Sequence, residues 1–291
     1  MVHDKTISSR IFSAINFTLL ALIALITILP IMHVVAGSFT TTAELAANKF
    51  VLIPKVWSLE AYKYIFSTNT IFKAMGVSIG VTVIGTFFSL LITSLMAYAL
   101  ARRDLDGRKM VNFMVVFTML FHGGMIPTFL VVKELGLIDT YASLILPSAI
   151  SAFNMIILKT FFQNIPDGLE ESAKIDGCND FGILFRIVLP LSLPALATIG
   201  LFYAVTYWNT YMNAILYLDD STKWPIQVLL RQIVVLASGM DHSATLDAAA
   251  PPPDQTIKMA VIVVATLPIL CVYPFLQKHF AKGAMLGSMK G

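Results

Sequence analysis

Long apolar stretches constrain the fold of this chain more than any other feature. Six of them alternate with shorter polar segments. An α-helix of about 20 apolar residues crosses the roughly 30 Å hydrocarbon core of a bilayer. We therefore predict an all-α membrane protein with six transmembrane helices and a single domain over residues 1–291. The predicted spans are residues 12–36, 72–100, 110–132, 141–163, 196–218 and 257–278.

The composition supports a membrane protein. Hydrophobic residues make up 57% of the chain and charged residues 13%, whereas soluble domains have roughly 45–50% apolar and about 25% charged residues. The net charge of +3 does not predict nucleic-acid binding, because the basic residues lie mainly beside apolar stretches. We expect both cysteines, Cys178 and Cys271, to be reduced thiols, since two cysteines in such different surroundings do not form a disulfide framework.

The distribution of lysine and arginine predicts the orientation of the chain in the membrane. An even number of spans puts both termini on one side. That side carries eleven basic residues near span ends against eight on the other, so we expect both termini to be cytoplasmic. The eleven are Lys5, Arg10, Arg102, Arg103, Arg108, Lys109, Lys174, Arg186, Lys278, Lys282 and Lys290.

A polar segment, residues 164–194, separates the fourth span from the fifth. Good helix formers in residues 169–175 predict a short helix, and Gly177 can end it because glycine accepts a positive φ. A second short helix is expected over residues 180–188, ending before Pro190. Its predicted apolar stripe comprises Phe181, Leu184, Phe185 and Val188. Two alternatives remain open: a loop lying on the membrane, or a knob that fits a groove on a soluble partner.

The same segment contains a spaced motif. It reads Glu171-Ser172-Ala173-Lys174-Ile175-Asp176-Gly177 and then Ile187-Val188-Leu189-Pro190. This resembles the cytoplasmic loop of ABC importer permeases, which reads Glu-Ala-Ala, three residues, Gly, nine residues, Ile, one residue, Leu-Pro. Ser172 replaces the first alanine of the motif.

The resemblance implies the type I ABC importer permease fold, in which this loop is a coupling helix that docks into a groove on a cytoplasmic ATPase. Glu171 would then bond partner groups, Gly177 would form the turn, and Ser172 and Ala173 would permit close approach. The residues that the resemblance assigns to ATPase coupling are Glu170, Glu171, Ser172, Ala173, Asp176, Gly177, Ile187, Leu189 and Pro190.

Further residues are similar to the carbohydrate-uptake, maltose-permease-like branch of this family. They are Leu52-Ile53-Pro54 with Tyr62, the run from Ala97 to Arg102, and a tail, residues 282–291, similar to that of a Gram-positive subgroup for complex or plant oligosaccharides. The implied location is a bacterial cell membrane. The implied partners are a second permease subunit, two cytoplasmic ATPase subunits, an extracellular solute-binding protein, an oligosaccharide substrate and the lipid bilayer.

No sequence motif for catalysis or metal binding is present. The chain has no G-x-x-x-x-G-K-[ST] phosphate loop, no H-E-x-x-H and no G-x-S-x-G, and its five histidines lack metal-ligand spacing. We therefore expect no enzyme activity, no catalytic or metal site and no cofactor in this chain. If transport is ATP-driven, ATP and Mg²⁺ are bound by a separate ATPase.

The fifth span carries candidate substrate contacts. Polar aromatic side chains stack on sugar rings, and amides bond hydroxyl groups. The alternatives are an aromatic belt at the membrane boundary and packing between helices. His122 and Asn154, in earlier spans, raise the same question, with interhelical hydrogen bonding as their alternative. The substrate-path candidates are Tyr203, Tyr207, Trp208, Asn209, Tyr211, Asn213 and Asn154.

Two other classes of membrane protein compete with a permease driven by a separate ATPase. An ion-coupled secondary carrier places ionisable residues within its spans, and these spans are nearly free of them. A membrane-embedded enzyme needs clustered catalytic groups, and the sequence has none. Within span 3, Gly123-Gly124 and Pro127 interrupt the apolar stretch, which suits either bundle packing or the motion of a transporter.

Overall fold

The computed structural model describes residues 6–48, 50–237 and 254–288. Within these residues the secondary structure is helical apart from one isolated antiparallel bridge between Thr40 and Trp57, so the all-α prediction is confirmed. Of the basic residues counted for orientation, Lys5, Lys49 and Lys290 lie outside the described residues. The chain forms two compact units, residues 1–69 with 230–266, and residues 70–229 with 267–291.

The first unit begins with a long apolar helix. This helix contains all of predicted span 1 and extends beyond both of its ends. In the short helix that follows, the Glu44 carboxylate accepts hydrogen bonds from the backbone N–H groups of Lys55 and Val56 in the next loop, at 2.9 and 3.0 Å. These bonds lower the pKa of Glu44 and hold the loop closed. The helices of this unit are α1 (Ile7–Ser38), α2 (Thr42–Ala47) and α3 (Glu60–Ser67).

The second unit holds the remaining spans, with the last two helices of the chain shared between the units. Its helices are α4 (Asn69–Ala101), α5 (Arg108–Leu120), α6 (Met125–Glu134), α7 (Ala142–Ile145), α8 (Ala152–Gln163), α9 (Asp167–Ile175), α10 (Asp180–Ile183), α11 (Leu189–Leu191), α12 (Leu193–Trp208) and α13 (Met212–Tyr217). The two shared helices are α14 (Ile226–Ala237) and α15 (Gln255–Ser288). A 3₁₀ turn (Leu146–Ser148) extends α7, and a π-helical turn (Leu184–Val188) joins α10 to α11.

Three helices in the described part of the chain are long and apolar enough to cross a membrane: α1, α4 and α15. Three bent pairs of helices are the other candidates. Two of them coincide with predicted spans 3 and 4, and the third joins part of the 164–194 segment to the first part of predicted span 5. The bend is 118° between α5 and α6, 55° between α7 with its 3₁₀ turn and α8, and 85° between the α10–α11 segment and α12. Counting each pair as one span gives six. Spans 3 and 4 are thus bent rather than straight, and the interruption predicted at Gly123-Gly124 falls at the 118° bend of span 3.

Local chemistry explains the breaks in spans 3 and 4 and the early end of α12. Gly124 has a φ of +89°, which glycine adopts without penalty, and Pro127 fits the first turn of the helix that follows. Pro147 lies in the 3₁₀ turn of span 4. In span 5, the Asn209 Nδ2 donates to the Val205 carbonyl at 2.8 Å, and such side-chain bonds to backbone compete with helix continuation. As a result α12 ends at Trp208, ten residues before the predicted end of the span.

Helices α4 and α12 pack very closely. A Cβ atom built on Gly85 would lie 2.9 Å from the Tyr207 ring, so only glycine allows this approach. The hydroxyl of Tyr207 lies 2.7 Å from Ser89 Oγ and donates to the Ile145 carbonyl at 3.2 Å. Small residues that allow close helix contact, together with interhelical hydrogen bonds, are the usual means of association in lipid.

Candidate coupling surface and membrane cavity

Helix α9 ends in a Schellman motif at the predicted glycine. Gly177 has a φ of +83°. Its N–H donates to the Lys174 carbonyl at 3.0 Å, and the Cys178 N–H donates to the Ala173 carbonyl at 2.9 Å. These two bonds satisfy carbonyl groups that a helix end otherwise leaves free. The short helix therefore has a defined end and a defined direction.

The two faces of α9 differ in exposure. Ala173 is buried in the apolar cluster that contains Leu158 and Ile183, whereas Ile175 is 87% exposed and Glu171 is also exposed. Glu170 lies on the side that faces the rest of the chain. The acidic pair assigned to coupling is thus divided, with one carboxylate turned inward and one turned outward. Ser172, Asp176 and Pro190 are exposed, and Ile187 and Leu189 are partly buried.

The predicted apolar stripe of the second short helix was wrong. Leu184 and Val188 are buried, as expected, but Phe181 and Phe185 are exposed, and Ile183 occupies the core in their place. The cause is the π-helical turn at Leu184–Val188, since i→i+5 bonding changes the angle between successive side chains.

The guanidinium group of Arg102 joins the end of α4 to the segment with α9 and α10. It contacts Asp104 at 2.7 Å, Asp180 at 3.0 Å and Glu170 at 3.3 Å, and it donates to the Tyr98 hydroxyl at 3.3 Å. Its side chain is 14% exposed. One partly buried cation therefore binds carboxylates at the start of α10, within α9 and just after α4.

The carboxylates around Arg102 respond in opposite directions. Hydrogen bonds from the guanidinium hold the pKa of Asp104 well below its ordinary range. Burial raises the pKa of Glu170, and the charge of Arg102 opposes that rise. The difference follows from the two hydrogen bonds that Arg102 donates to Asp104, at 2.7 and 2.9 Å, and from the partial burial of Glu170.

A cavity of about 740 Å³ lies in the second unit, beside two of the helix breaks. The first break contributes His122 and Gly124 to its lining, and the second contributes Pro147 and Ser151. Backbone that is not helical is tolerated at membrane depth where it lines a water-filled cavity or is buried in protein. Of the predicted substrate-path residues, Asn154, Tyr203 and Asn213 line this cavity.

The structure favours the packing alternative for the two tyrosines on α12. Tyr203 and Tyr207 are each 2% exposed. The Tyr203 hydroxyl lies 2.7 Å from Thr93 Oγ1 and accepts the Ser151 N–H at 3.0 Å. Both phenol groups therefore bond within the chain, although the ring of Tyr203 reaches the cavity wall.

The remaining candidates of span 5 are dispersed. Tyr211 lies beyond the end of α12, so it does not share a helix with Tyr203 and Tyr207. Asn209 is exposed and bonds its own helix. Trp208 is buried, its Nε1 has no hydrogen-bond partner among the described residues, and it lines a separate, apolar cavity of about 450 Å³.

Asp139 and Lys223 form a clasp between two connecting segments of the second unit. The Lys223 ammonium group bonds the Asp139 carboxylate and donates to its carbonyl oxygen at 2.8 Å. The same carboxylate accepts the Asp220 N–H at 3.1 Å. Asp139 has a φ of +60°, a conformation that aspartate tolerates better than most residues.

Sequence reasoning did not single out Arg102 or the Asp139–Lys223 clasp. The sequence gives Arg102 as a topological charge and as the end of the Ala97–Arg102 run, but not as an ion-pair partner of the coupling segment. Its position between an apolar helix end and Asp104 was a signal, since a basic residue that ends a span and is followed by acids is placed to form an ion pair. Within the described residues, no group of three His, Cys, Asp or Glu side chains could hold a metal ion.

Broken spans around a cavity, with a capped and partly exposed helix between two of them, are features of a membrane permease. Residues 109–285 match the binding-protein-dependent transport system inner membrane component family, and the chain belongs to it. The chain is the permease of a binding-protein-dependent importer, a multi-pass inner membrane protein of the ABC class.

Similar proteins align with almost the whole chain. It is 67% identical, over 97% of its length and 99% of the relative, to the polygalacturonan/rhamnogalacturonan transport system permease protein YtcP of Bacillus subtilis (strain 168). It is 55% identical to the protein LplC of the same organism, over 99% of this chain and 97% of that one. In structure it resembles a chain of a bacterial ABC transporter involved in import of the acidic polysaccharide alginate, with a TM-score of 0.87, 33% identity and coverage of 94% and 98%.

Proposed function

We propose that this permease carries acidic oligosaccharides into the cell by alternating access. Two of its relatives are named for the transport of polygalacturonan and rhamnogalacturonan or of alginate. The partners are a second permease subunit, two cytoplasmic ATPase subunits that bind ATP and Mg²⁺, and an extracellular solute-binding protein. Both termini and the 164–194 segment are cytoplasmic.

One observation supports ATPase coupling above all: α9 is fixed on one face and free on the other. Ala173 anchors the inner face in the core, the motif at Gly177 fixes the end of the helix, and Glu171 and Ile175 remain exposed. A rigid knob with an exposed carboxylate and an exposed apolar side chain suits a groove on a soluble partner. Closure of the ATPases moves this knob, and Ile187, Leu189 and Pro190 pass the motion to α12.

The cavity supports a sugar substrate. Its lining combines aromatic rings, which include Phe153 and Tyr203, with side-chain amides from Asn154 and Asn213. Rings stack on the C–H faces of sugars, and amides bond their hydroxyl groups. Asn154 and Asn213 are therefore the substrate-path residues that we retain.

The test of coupling replaces the exposed carboxylate with the opposite charge. In the assembled importer, we expect Glu171→Lys to abolish copurification of the ATPase and ATP-dependent uptake while the permease still inserts into the membrane. Glu134→Lys, at an exposed glutamate outside the coupling segment, is the matched control and should behave as wild type. Normal copurification and uptake in Glu171→Lys would contradict the coupling assignment.

A second variant tests the turn rather than the charge. Gly177→Ala places a side chain at a positive φ, at a cost of about 1–2 kcal/mol, and should weaken both ATPase binding and uptake. Gly168→Ala is its control, because Gly168 lies within α9 and a Cβ there meets no atom within 4 Å. Equal behaviour of the two alanine variants would show that the turn does not matter to coupling.

A further inference from the structure

The 740 Å³ cavity lies at the N-terminal ends of two helices. Gly124 precedes α6 and Ser151 precedes α8, and both residues line the cavity. The first N–H groups of a helix have no intrahelical partner, and the helix dipole gives that end a partial positive charge. Helices α6 and α8 have 10 and 12 residues, so both are long enough for this effect.

An unpartnered amide lines the same place. Asn154 is only 5% exposed, yet its side chain makes no hydrogen bond to any residue that the structure describes. The backbone N–H of Asn154 donates to Ser151 Oγ at 3.4 Å. A buried amide without a partner is costly, and here it lies in the first turn of α8, against the cavity. It is therefore available to a ligand.

The electrostatics of the cavity favour an anion that binds and can also be released. No Asp, Glu, Lys or Arg is found among its described lining residues. A carboxylate on the ligand would meet no like charge, and the two helix ends and Asn154 would supply donors. A transport path requires binding that is favourable enough to admit the substrate and weak enough to release it. Partial charges meet this requirement better than a full lysine or arginine charge.

From these observations we infer that the N-terminal ends of α6 and α8, with the Asn154 amide, form a subsite for a carboxylate group of the transported sugar. Helix N-termini bind carboxylates and phosphates through their free N–H groups and dipole. The inference rests on the proposed function, because it names the group by which this cavity distinguishes an acidic sugar from a neutral one. Sugar rings and hydroxyl groups would be bound elsewhere in the cavity, with Asn213 on its α13 side.

The test compares an acidic sugar with its neutral ester in the purified importer, assembled with all its partners in proteoliposomes. Uptake of digalacturonate and of its dimethyl ester is measured for wild type, Asn154→Leu and Asn154→Gln. A hydrogen bond to a charged group contributes more than one to a neutral group, so we expect the ratio of acid to ester uptake to fall about tenfold in Asn154→Leu. Asn154→Gln keeps the amide and should retain most of the wild-type ratio.

The ratio makes the outcomes distinguishable. The binding protein delivers each sugar equally to every variant, so its preference cancels. An equal loss of both sugars in Asn154→Leu would overturn the carboxylate subsite and leave the sugar path intact. If wild type takes up neither sugar, the proposed substrate class fails instead.

A second position keeps the inference testable if Asn154→Leu does not accumulate in the membrane. Asn213→Leu removes the amide on the α13 side, where we place hydroxyl recognition. It should lower uptake of both sugars alike. If Asn213→Leu instead lowers uptake of the acidic sugar more than uptake of the ester, the carboxylate binds on the α13 side of the cavity and the inference is overturned.

Discussion

The side-chain hydroxyl groups of Thr93 and Tyr203 lie 2.7 Å apart and join α4 to α12. The Tyr203 oxygen also accepts the Ser151 N–H at 3.0 Å, so one phenol group connects three segments of the second unit. Because Ser151 begins α8 beside the cavity, this bond links the packing of the bundle to the position of the candidate subsite.

Removal of that hydroxyl should lower stability rather than substrate affinity. We expect Tyr203→Phe to reduce the free energy of unfolding by about 1–2 kcal/mol, since it leaves Thr93 and the Ser151 N–H without their partner. Unfolding of the purified protein in detergent measures this loss. Tyr64→Phe, at an exposed tyrosine, is the control. A changed KM for uptake with unchanged stability would instead support direct contact of Tyr203 with substrate.

The close contact of α4 with α12 predicts opposite results for two glycines on one helix. Gly85→Ala puts a methyl group 2.9 Å from the buried Tyr207 ring, which the bonds to Ser89 and Ile145 hold in place. We expect a loss of about 1–3 kcal/mol. At Gly80 a Cβ meets nothing within 4 Å, so Gly80→Ala should be neutral or stabilising. The melting temperatures of the two variants measure this difference. Equal melting temperatures for Gly85→Ala and Gly80→Ala would contradict the close contact of Gly85 with the Tyr207 ring.

Arg102 should act as a positioning residue between the coupling segment and α4. Arg102→Gln removes its ion pairs with Glu170 and Asp180, so we expect transport per ATP hydrolysed to fall severalfold while the ATPase remains bound. Arg103→Gln is the matched control, because Arg103 is 83% exposed and its ion pair with Asp167 is 3.9 Å long. An unchanged ratio of transport to ATP hydrolysis in Arg102→Gln would exclude this role.

The Asp139–Lys223 clasp should depend on pH in a defined window. Lys223 lowers the pKa of Asp139 below its ordinary 3.8, and Asp139 raises the pKa of Lys223 above 10.5. The clasp thus stabilises the fold fully between these two values and is lost as pH falls below the first or rises above the second. The melting temperature of Lys223→Gln should lie below that of wild type at pH 6, and the difference should shrink below pH 3.8. Lys133→Gln, at an exposed lysine, is the control and should melt at the same temperature as wild type. A difference in melting temperature between Lys223→Gln and wild type that does not change with pH would contradict the ion pair.

Features with a local cause were predictable from the sequence. Apolar length located α1, α4 and α15, and the turn at Gly177 followed from glycine after a helix-forming run. The bend at Gly124 was partly anticipated, because a glycine pair followed by proline interrupts a helix whatever surrounds it.

Features that depend on distant contacts were not predictable. Glu170 faces the rest of the chain while Glu171 is exposed, and this difference depends on Arg102, which lies 68 residues before Glu170. The π-helical turn at Leu184–Val188 changes which side chains of the coupling segment are buried, and no periodicity reveals it. The sequence predicts substrate contacts for Tyr203 and Tyr207, whereas their hydroxyl groups bond Thr93 and Ser89 on α4.

The bent pairs of helices have a consequence for how the protein is made. Helix α5 is about 20 Å long and α6 about 15 Å, at 1.5 Å per residue, so neither crosses a bilayer core of roughly 30 Å alone. The free backbone groups at the break between them cannot face lipid. We therefore expect this pair to reach its final position in the bilayer only after α8 and α12 have been synthesised, because both helices line the cavity beside the break. A span near the middle of the chain would then complete its fold after a later span has been made.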